Sequence, residues 1–263
     1  MIDGTAQQEF ARLLPALNFE CLKQANIRQG TKILDVGCGN AAFTRLLGLE
    51  ARVPVVGIER DSQLIQEGVR AAEAAGERVW LDLRLGEAPF LPLTLEELGR
   101  FDLAHARFVL AHLPDPAATV RAMVNALKPN GRLILADDDL DLLRLHPEPP
   151  GFDGLWQAYL ASRERRAIDP RIGRKLAMVL HEAGAQPSRV TLVFVGGCYG
   201  HDDYLPLIES LTSTLRQARE SILATERIDA AQFARVLQAV SSLTHRPGSA
   251  IWYPVCWAEG RRG

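Results

Sequence analysis

Ile33-Leu34-Asp35-Val36-Gly37-Cys38-Gly39-Asn40-Ala41-Ala42-Phe43-Thr44 is the stretch that decides the fold of this 263-residue chain. Ile33, Leu34 and Val36 read as a short buried strand with Asp35 at its end. Gly37 and Gly39 open a turn into a helix that starts near Asn40. Glycines let the backbone approach a ligand closely, and a helix N-terminus attracts negative charge. A Gly-x-Gly pair alone also fits ordinary tight turns and many nucleotide binders. Asp35 narrows the choice. A carboxylate two residues before the first glycine repels a pyrophosphate and suits a ligand that carries a cationic ammonium. The next strand, from Val53 to Ile58, ends on a second acid, Glu59. That is close to the spacing of about 20 residues at which a carboxylate meets ribose hydroxyls.

Outward from this stretch the chain alternates strands and helices. Ala6 to Ala25 has helical spacing interrupted at Pro15, which gives two helices or one kinked helix. After strand 33–36 come a helix from about Ala41 to Leu49 and a strand over 55–58. Asp61 or Ser62 caps a helix with Leu64, Ile65, Val69 and Ala72 on one face, and Gly76 stops it. Val79 to Leu85 and Phe101 to Ala106 read as strands three and four. Asp115 and Pro116 start a helix carrying Val120, Met123, Val124 and Leu127. Pro129-Asn130-Gly131 then turns into a fifth strand, Arg132 to Ala136. This interval implies parallel β-α units: an α/β, doubly wound sheet with a ligand crevice at the strand C-termini.

The second half is more helical. Asp153 to Arg166 and Pro170 to Ala183 read as helices, the latter capped by Asp169 and stopped by Gly184. A strand over Arg189 to Val195 follows, then helical stretches Tyr204 to Ala224 and Ala231 to Leu243, then a last strand near Ile251 to Trp257. The final strands are needed to complete the sheet. The expectation is therefore one domain, 1–263, with N-terminal helices over 1–29, a core over 30–140 and a C-terminal part over 141–263.

Composition removes several classes. Apolar runs are strand-sized, short of the ~20 residues of a membrane helix. The N-terminus lacks a basic segment followed by an apolar one, so no signal peptide is expected. Cys21, Cys38, Cys198 and Cys256 are scattered, which argues against a disulfide framework or a zinc site and fits a reducing cytoplasm. A net charge of -2 gives no reason to expect nucleic-acid binding.

Taken with Glu59, the pattern resembles the class I S-adenosylmethionine-dependent methyltransferases. Leu85-Gly86-Glu87-Ala88-Pro89-Phe90 looks like that family's adenine-contacting loop. Phe101 to Arg107 looks like its fourth-strand motif, Val109 to Pro116 like the segment that follows, and Leu127 to Leu133 like the turn into its fifth strand. The matches run in order over residues 31–138, and the flavour is the small-molecule branch, similar to quinone-biosynthesis and natural-product tailoring enzymes. Asn130 stands where the family usually has glycine. Pro254 falls in what would be an internal antiparallel strand, so a bulge or an early strand end is expected there.

The resemblance implies a Rossmann-like, mostly parallel seven-stranded sheet with helical additions at the N-terminus and between the last strands. It implies S-adenosyl-L-methionine as cofactor, a small-molecule acceptor and no metal. The cofactor residues would be Asp35, facing the methionine ammonium, and Glu59, taking both ribose hydroxyls. Gly37, Cys38, Gly39, Asn40, Arg60, Gly86, Glu87, Ala88, Ala106 and Arg107 complete the set. Cys38 reads as a small filler, not a nucleophile.

Methyl transfer from a sulfonium is an in-line displacement, so the protein must align donor and acceptor and, for a hydroxyl acceptor, remove a proton. His112 after strand four, oriented by Asp137 at the end of strand five, is the expected base; His201, after strand six, is the second candidate. A histidine packed beneath the loop is the competing reading of His112. The succession Asp137-Asp138-Asp139 leaves open which carboxylate points inward. The basic cluster Arg163, Arg165, Arg166, Arg171, Arg174 and Lys175 reads as a solvated face or as a steering patch for an anionic substrate. The helices over 204–224 and 231–243 should form a hairpin that covers the acceptor or builds a homodimer. Two alternatives stay open: an NAD-dependent oxidoreductase, because Gly37-x-Gly39-x-x-Ala42 fits a relaxed dinucleotide fingerprint, and a cofactor binder that transfers no methyl. Asp35 and the Gly86-Glu87-Ala88 loop argue against the first.

Overall fold

The computed structural model describes residues 14–263. Helix α1, Leu14–Ala25, carries Pro15 in its first turn, where a missing N–H leaves no ladder bond unmade. The part of the expected helix before Leu14 lies outside the described residues. The chain groups into two compact units.

One unit comprises residues 21–138, 171–192 and 256–263. It holds β1 (Ile33–Val36), α2 (Ala42–Ala51), β2 (Val55–Glu59), α3 (Ser62–Ala74), β3 (Leu81–Leu85), β4 (Phe101–Arg107), α4 (Pro116–Ala126) and β5 (Leu127–Asp138). The strand order is β3-β2-β1-β4-β5, and every neighbouring pair is parallel. All four residues of β1 are buried, as expected of a strand at the middle of a parallel sheet. Register places Asp35 beside Gly57 on one side and beside His105 on the other.

Local chemistry sets the helix boundaries. Asp61 caps α3, its Oδ1 accepting from the Gln63 N–H at 2.8 Å. Asp115 caps α4 by accepting from Ala118 N–H at 2.9 Å, with Pro116 at the first helical position. Val120 and Met123 on α4 are fully buried, each stabilising the fold by roughly 1.5–3 kcal/mol. β5 contains the expected turn as a bulge: Phe101 pairs with Leu127, yet Leu103 pairs with Arg132. Asn130 sits there at φ +62°, and Asn is the side chain that best tolerates this left-handed backbone.

The same unit corrects the expected helix over Pro170–Ala183. Only α6, Leu176–Glu182, is α-helical, preceded by a 3-10 turn over Ile172–Lys175. A Cβ at Gly173 would lie 2.7 Å from the Asp138 carbonyl carbon, so the chain hugs the end of β5 before a helix can begin.

The other unit comprises, among the described residues, 14–20, 139–170 and 193–255. It contains β6 (Arg144–His146), α5 (Phe152–Glu164), α7 (Tyr204–Gln217), α8 (Arg219–Leu223) and α9 (Ala230–Ser242). The single stretch expected over Tyr204–Ala224 is two helices, broken at Ala218. α9 packs on α7 and α5, with Phe233, Val236 and Val240 buried and Asp229 forming a capping box with Gln232. Two long strands, β7 (Ala185–Cys198) and β8 (Ala250–Arg262), pair with each other. β6 pairs antiparallel with the start of β8 and raises the sheet from the seven strands expected to eight.

β8 also corrects the early end expected at Pro254, for it runs unbroken to Arg262. The last β6 pair is Arg144 opposite Trp252, so the β6 ladder stops before the proline and asks for no N–H from it. Among the described residues no helix is long and apolar enough to cross a membrane, and no group of three or more His, Cys, Asp or Glu could hold a metal ion.

Candidate functional site

The C-terminal ends of β1, β2, β4 and β5 carry most of the residues singled out from the sequence. Asp35 is 3% exposed and accepts two side-chain hydrogen bonds. Thr44 Oγ1–H donates to Oδ2 at 2.7 Å, and His105 Nδ1 lies 2.7 Å from Oδ1. A carboxylate only accepts, so Nδ1 is the donor in that pair. Thr44 stands within the first turn of α2 and His105 in β4, both fully buried. The Phe43 ring centroid is 5.1 Å from that of His105, and the Arg107 guanidinium carbon sits 4.1 Å from the Phe43 centroid.

The glycine turn is tightly built. Gly37 and Cys38 N–H groups both donate to the Ile58 carbonyl, at 2.8 and 3.1 Å. Gly37 has φ +73°, and a Cβ there would overlap the Cγ2 methyl of Val109. Gly39, at φ +56°, has nothing within 4 Å of its would-be Cβ. The turn is thus closed beneath Gly37 and open above Gly39. Helix α2 begins at Ala42; its N-cap Ala41 is left-handed and provides no side-chain cap, while Asn40 Oδ1 accepts from Ala42 N–H at 3.3 Å. Burial, reinforced by the charges of Asp35 and Glu59, pushes the Cys38 thiol far above its usual value. A thiol so held is no nucleophile.

Glu59 ties the turn to the next strand end. Its Oε2 accepts from Gly39 N–H at 2.9 Å, and its Oε1 accepts from the Arg60 and Asp61 amides at 2.9 and 3.1 Å. The carboxylate therefore braces the glycine turn and the start of α3 together. Gly86 N–H donates to the Glu59 carbonyl at 3.0 Å, which brings the loop after β3 alongside. Glu87 in that loop is largely exposed and 3.8 Å from Arg60, a pair worth little in open solvent. Ala88 follows it in the loop, half-buried. Deeper anchoring comes from Arg84, which forks onto Glu97 at 2.6 and 2.9 Å and onto Asp82 at 2.6 Å, and also bonds the Pro92 carbonyl. Arg84 holds the Glu97 carboxyl down at about 2. No motif pointed to this brace.

Ala106, buried, and Arg107 end β4 next to β1 and β5. Among the three successive aspartates, Asp137 is the one turned in at the end of β5, 1% exposed. Its Oδ2 accepts from the Leu110 and Ala111 amides at 2.9 and 3.3 Å, and its Oδ1 from Asp138 N–H at 2.9 Å. Those bonds fix the backbone of the short 3-10 turn Leu110–His112. They orient the turn that bears His112, not its imidazole. Burial, with the Asp138 charge beside it, raises the Asp137 carboxyl to about 7. His112 is half-buried and begins the connection to α4. His201 belongs to the other compact unit, where it is exposed, its Nδ1 accepting from Asp203 N–H at 3.3 Å. Arg163, Arg165 and Arg166 lie at the end of α5 in that unit, while Arg171, Arg174 and Lys175 belong to the first.

Asp35, Gly37, Gly39, Glu59 and Gly86 thus converge on one set of strand ends. Sequence reading missed His105 and Thr44; their signal was a polar residue nine places after Asp35 and an imidazole inside an otherwise apolar strand.

A methyltransferase-domain family model matches residues 4–188. A demethylmenaquinone methyltransferase from Lactiplantibacillus plantarum is 29% identical over 163 residues, 60% of this chain and 62% of the relative. The chain spans about half the length of most of the curated relatives it matches. Among solved structures, a candidate methyltransferase from Bacillus halodurans superposes with a TM-score of 0.61 at 17% identity, covering 92% of this chain and 96% of that one. The geranyl diphosphate C-methyltransferase of Streptomyces coelicolor, solved with S-adenosyl-L-homocysteine, gives 0.59 at 14% identity, covering 99% and 85%. At these identities the structural likeness is one of fold.

Proposed function

The chain belongs to the class I S-adenosylmethionine-dependent methyltransferases, and from that premise we propose that it methylates a small-molecule acceptor, oxygen ahead of nitrogen or carbon. The observation that supports this most directly is the pair Asp35 and Glu59, at adjacent strand ends, bracketing a glycine turn that is open at Gly39. The fit is chemical. A buried carboxylate suits an ammonium, a partly buried one suits paired hydroxyls, and a turn with no side chain above it leaves room for a ligand.

When bound, S-adenosyl-L-methionine supplies an electrophilic methyl on a cationic sulfur. The chain's own residues would do the rest. Asp35 would hold the ammonium with the lone pairs its two donors leave; Glu59, whose carboxylate already accepts from three amides, would release at least one of them to take both ribose hydroxyls. Gly86 and Ala88 would flank the adenine, with Glu87 accepting from its exocyclic amine; Ala106 and Arg107 would close the end of β4. His112 would take the proton of a hydroxyl acceptor, its turn held by Asp137, with His201 as the second candidate. The acceptor would be of the kind handled in quinone biosynthesis or natural-product tailoring, in line with the demethylmenaquinone methyltransferase among the relatives. The protein would act as a cytoplasmic enzyme, a single domain of 1–263, with the α7–α9 helices covering the acceptor or pairing two copies.

Calorimetric titration with S-adenosylmethionine, S-adenosylhomocysteine, NAD⁺ and NADH tests the reading. Binding of the first two and silence for the dinucleotides is the expected result. Tight NAD⁺ binding with no response to S-adenosylhomocysteine would overturn it. Cofactor binding with no turnover across a panel of phenols, catechols and quinols would instead make the chain a binder that transfers nothing.

A further inference from the structure

We infer that His105 is a positioning residue for the cofactor, locking the Asp35 carboxylate in the orientation that receives the ligand's ammonium. The inference rests on the assignment of Asp35 to that ammonium.

Three observations carry it. His105 and Asp35 are directly paired across β4 and β1, so the sheet's register sets the 2.7 Å contact and not a flexible loop. Thr44 fixes the other carboxylate oxygen from α2, so both oxygens are held from two directions and the side chain cannot rotate. A carboxylate offers roughly four lone-pair sites, and these two donors leave about half of them for an incoming cation. Finally, His105 Nε2 is buried and has no hydrogen-bond partner among the described residues. A residue present only to fill the space beside Phe43 would not bring an unpartnered polar atom with it; leucine or phenylalanine would fill that space without the desolvation. What the imidazole adds is the Nδ1–H aimed at Asp35.

The test compares two ligands that differ in the ammonium-bearing end. S-adenosylhomocysteine carries the amino acid; 5′-methylthioadenosine keeps the nucleoside and sulfur but lacks it. Calorimetry on His105→Leu, His105→Asn and His105→Gln is paired with thermal melts. Asn places an N–H where Nδ1 stood, whereas the Gln amide reaches nearer the Nε2 position. His105→Leu and His105→Gln should weaken S-adenosylhomocysteine by roughly 10- to 100-fold, the range of one charge-assisted hydrogen bond, and leave 5′-methylthioadenosine unchanged. His105→Asn should stay close to wild type on both. Imidazole ¹⁵N spectra of the wild type should show a protonated Nδ1.

Equal weakening of both ligands would make His105 a packing residue and overturn the inference, as would His105→Asn binding no better than His105→Leu. Should His105→Leu fail to fold, the Asn–Gln pair decides alone. Wild-type protein that binds S-adenosylhomocysteine beside an unresponsive variant series overturns this inference only. Wild-type protein that binds neither ligand overturns the cofactor assignment as well.

Discussion

Asp35 at the end of β1 and Asp137 at the end of β5 are the same residue type, both buried, at equivalent ends of parallel strands, yet their surroundings differ in kind. Asp35 is satisfied by side chains, Thr44 and His105, drawn from two other elements. Among the described residues, Asp137 is satisfied by backbone amides alone, with the Asp138 charge beside it. A carboxylate held by side chains is a specific device that one substitution at position 44 or 105 can retune. A carboxylate held by backbone is part of the fold, and its work is to shape the Leu110–His112 turn. On the proposed function, the contrast would give the β1 end to binding and the β5 end to presenting the acceptor-side base.

The sharpest way to break that division is His112→Ala. Positioned general-base catalysis is worth ~10²–10⁴ in rate, so turnover of a hydroxyl acceptor should fall by that range. Affinity for S-adenosylhomocysteine and the melting temperature should hold, and the rise of wild-type rate with pH should vanish. Joint loss of affinity and stability would make the histidine structural; loss only with His201→Ala would move the base elsewhere.

Next in size, Asp35→Ala or Glu59→Ala should weaken S-adenosylhomocysteine by roughly 10- to 100-fold in a calorimetric titration, since each removes charge-assisted bonds. Asp137→Ala should lower the melting temperature and leave that affinity near wild type. If Asp137→Ala proves as damaging to binding as Asp35→Ala, the two strand ends are not divided as drawn here.

The glycines should split similarly. Alanine at φ > 0 costs about 1–2 kcal/mol whatever the space around it. Gly37→Ala adds the overlap with Val109 and should show mainly as lost stability in chemical denaturation. Gly39→Ala adds none and should show mainly as weakened cofactor affinity, because its methyl enters the open side of the turn.

The smallest effect is a pH slope. Asp137 keeps its proton up to about 7 in the folded chain, while an unfolded aspartate releases it near 4. Between those values the folded state binds more protons, so stability should fall as pH rises through that window. Melting temperatures from pH 4 to 8 should show this decline, and Asp137→Asn should flatten it.

Much of the core was legible because local chemistry and fold agree there. Asp61 and Asp115 cap helices that begin where they stand, and the glycine turn follows a fully buried strand. What escaped reading depends on partners distant in sequence. His105 reads as an ordinary strand residue until β4 is laid beside β1, 70 positions away, and Asp35 turns out to face it. The delayed start of α6 comes from Gly173 lying against the end of β5, which no helical period announces. Pro254 announced a break that does not occur: β8 runs on to Arg262, and the β6 ladder has already ended at Trp252. Asp137 was expected to orient His112, and its bonds go to the amides of the turn that carries that histidine.

The seating of Gly37 against Val109 has a geometric consequence. The donor-side turn and the residue just before the Leu110–His112 turn are in hard contact, with no room for a single methyl group between them. On the proposed function, they would together set how far His112 stands from the methyl donor. An in-line displacement tolerates little slack in that span. Residue 109 would then be the place to lengthen or shorten that span: Val109→Ala should let the Leu110–His112 turn settle toward the glycines and change which acceptors are methylated, while calorimetric affinity for S-adenosylhomocysteine holds.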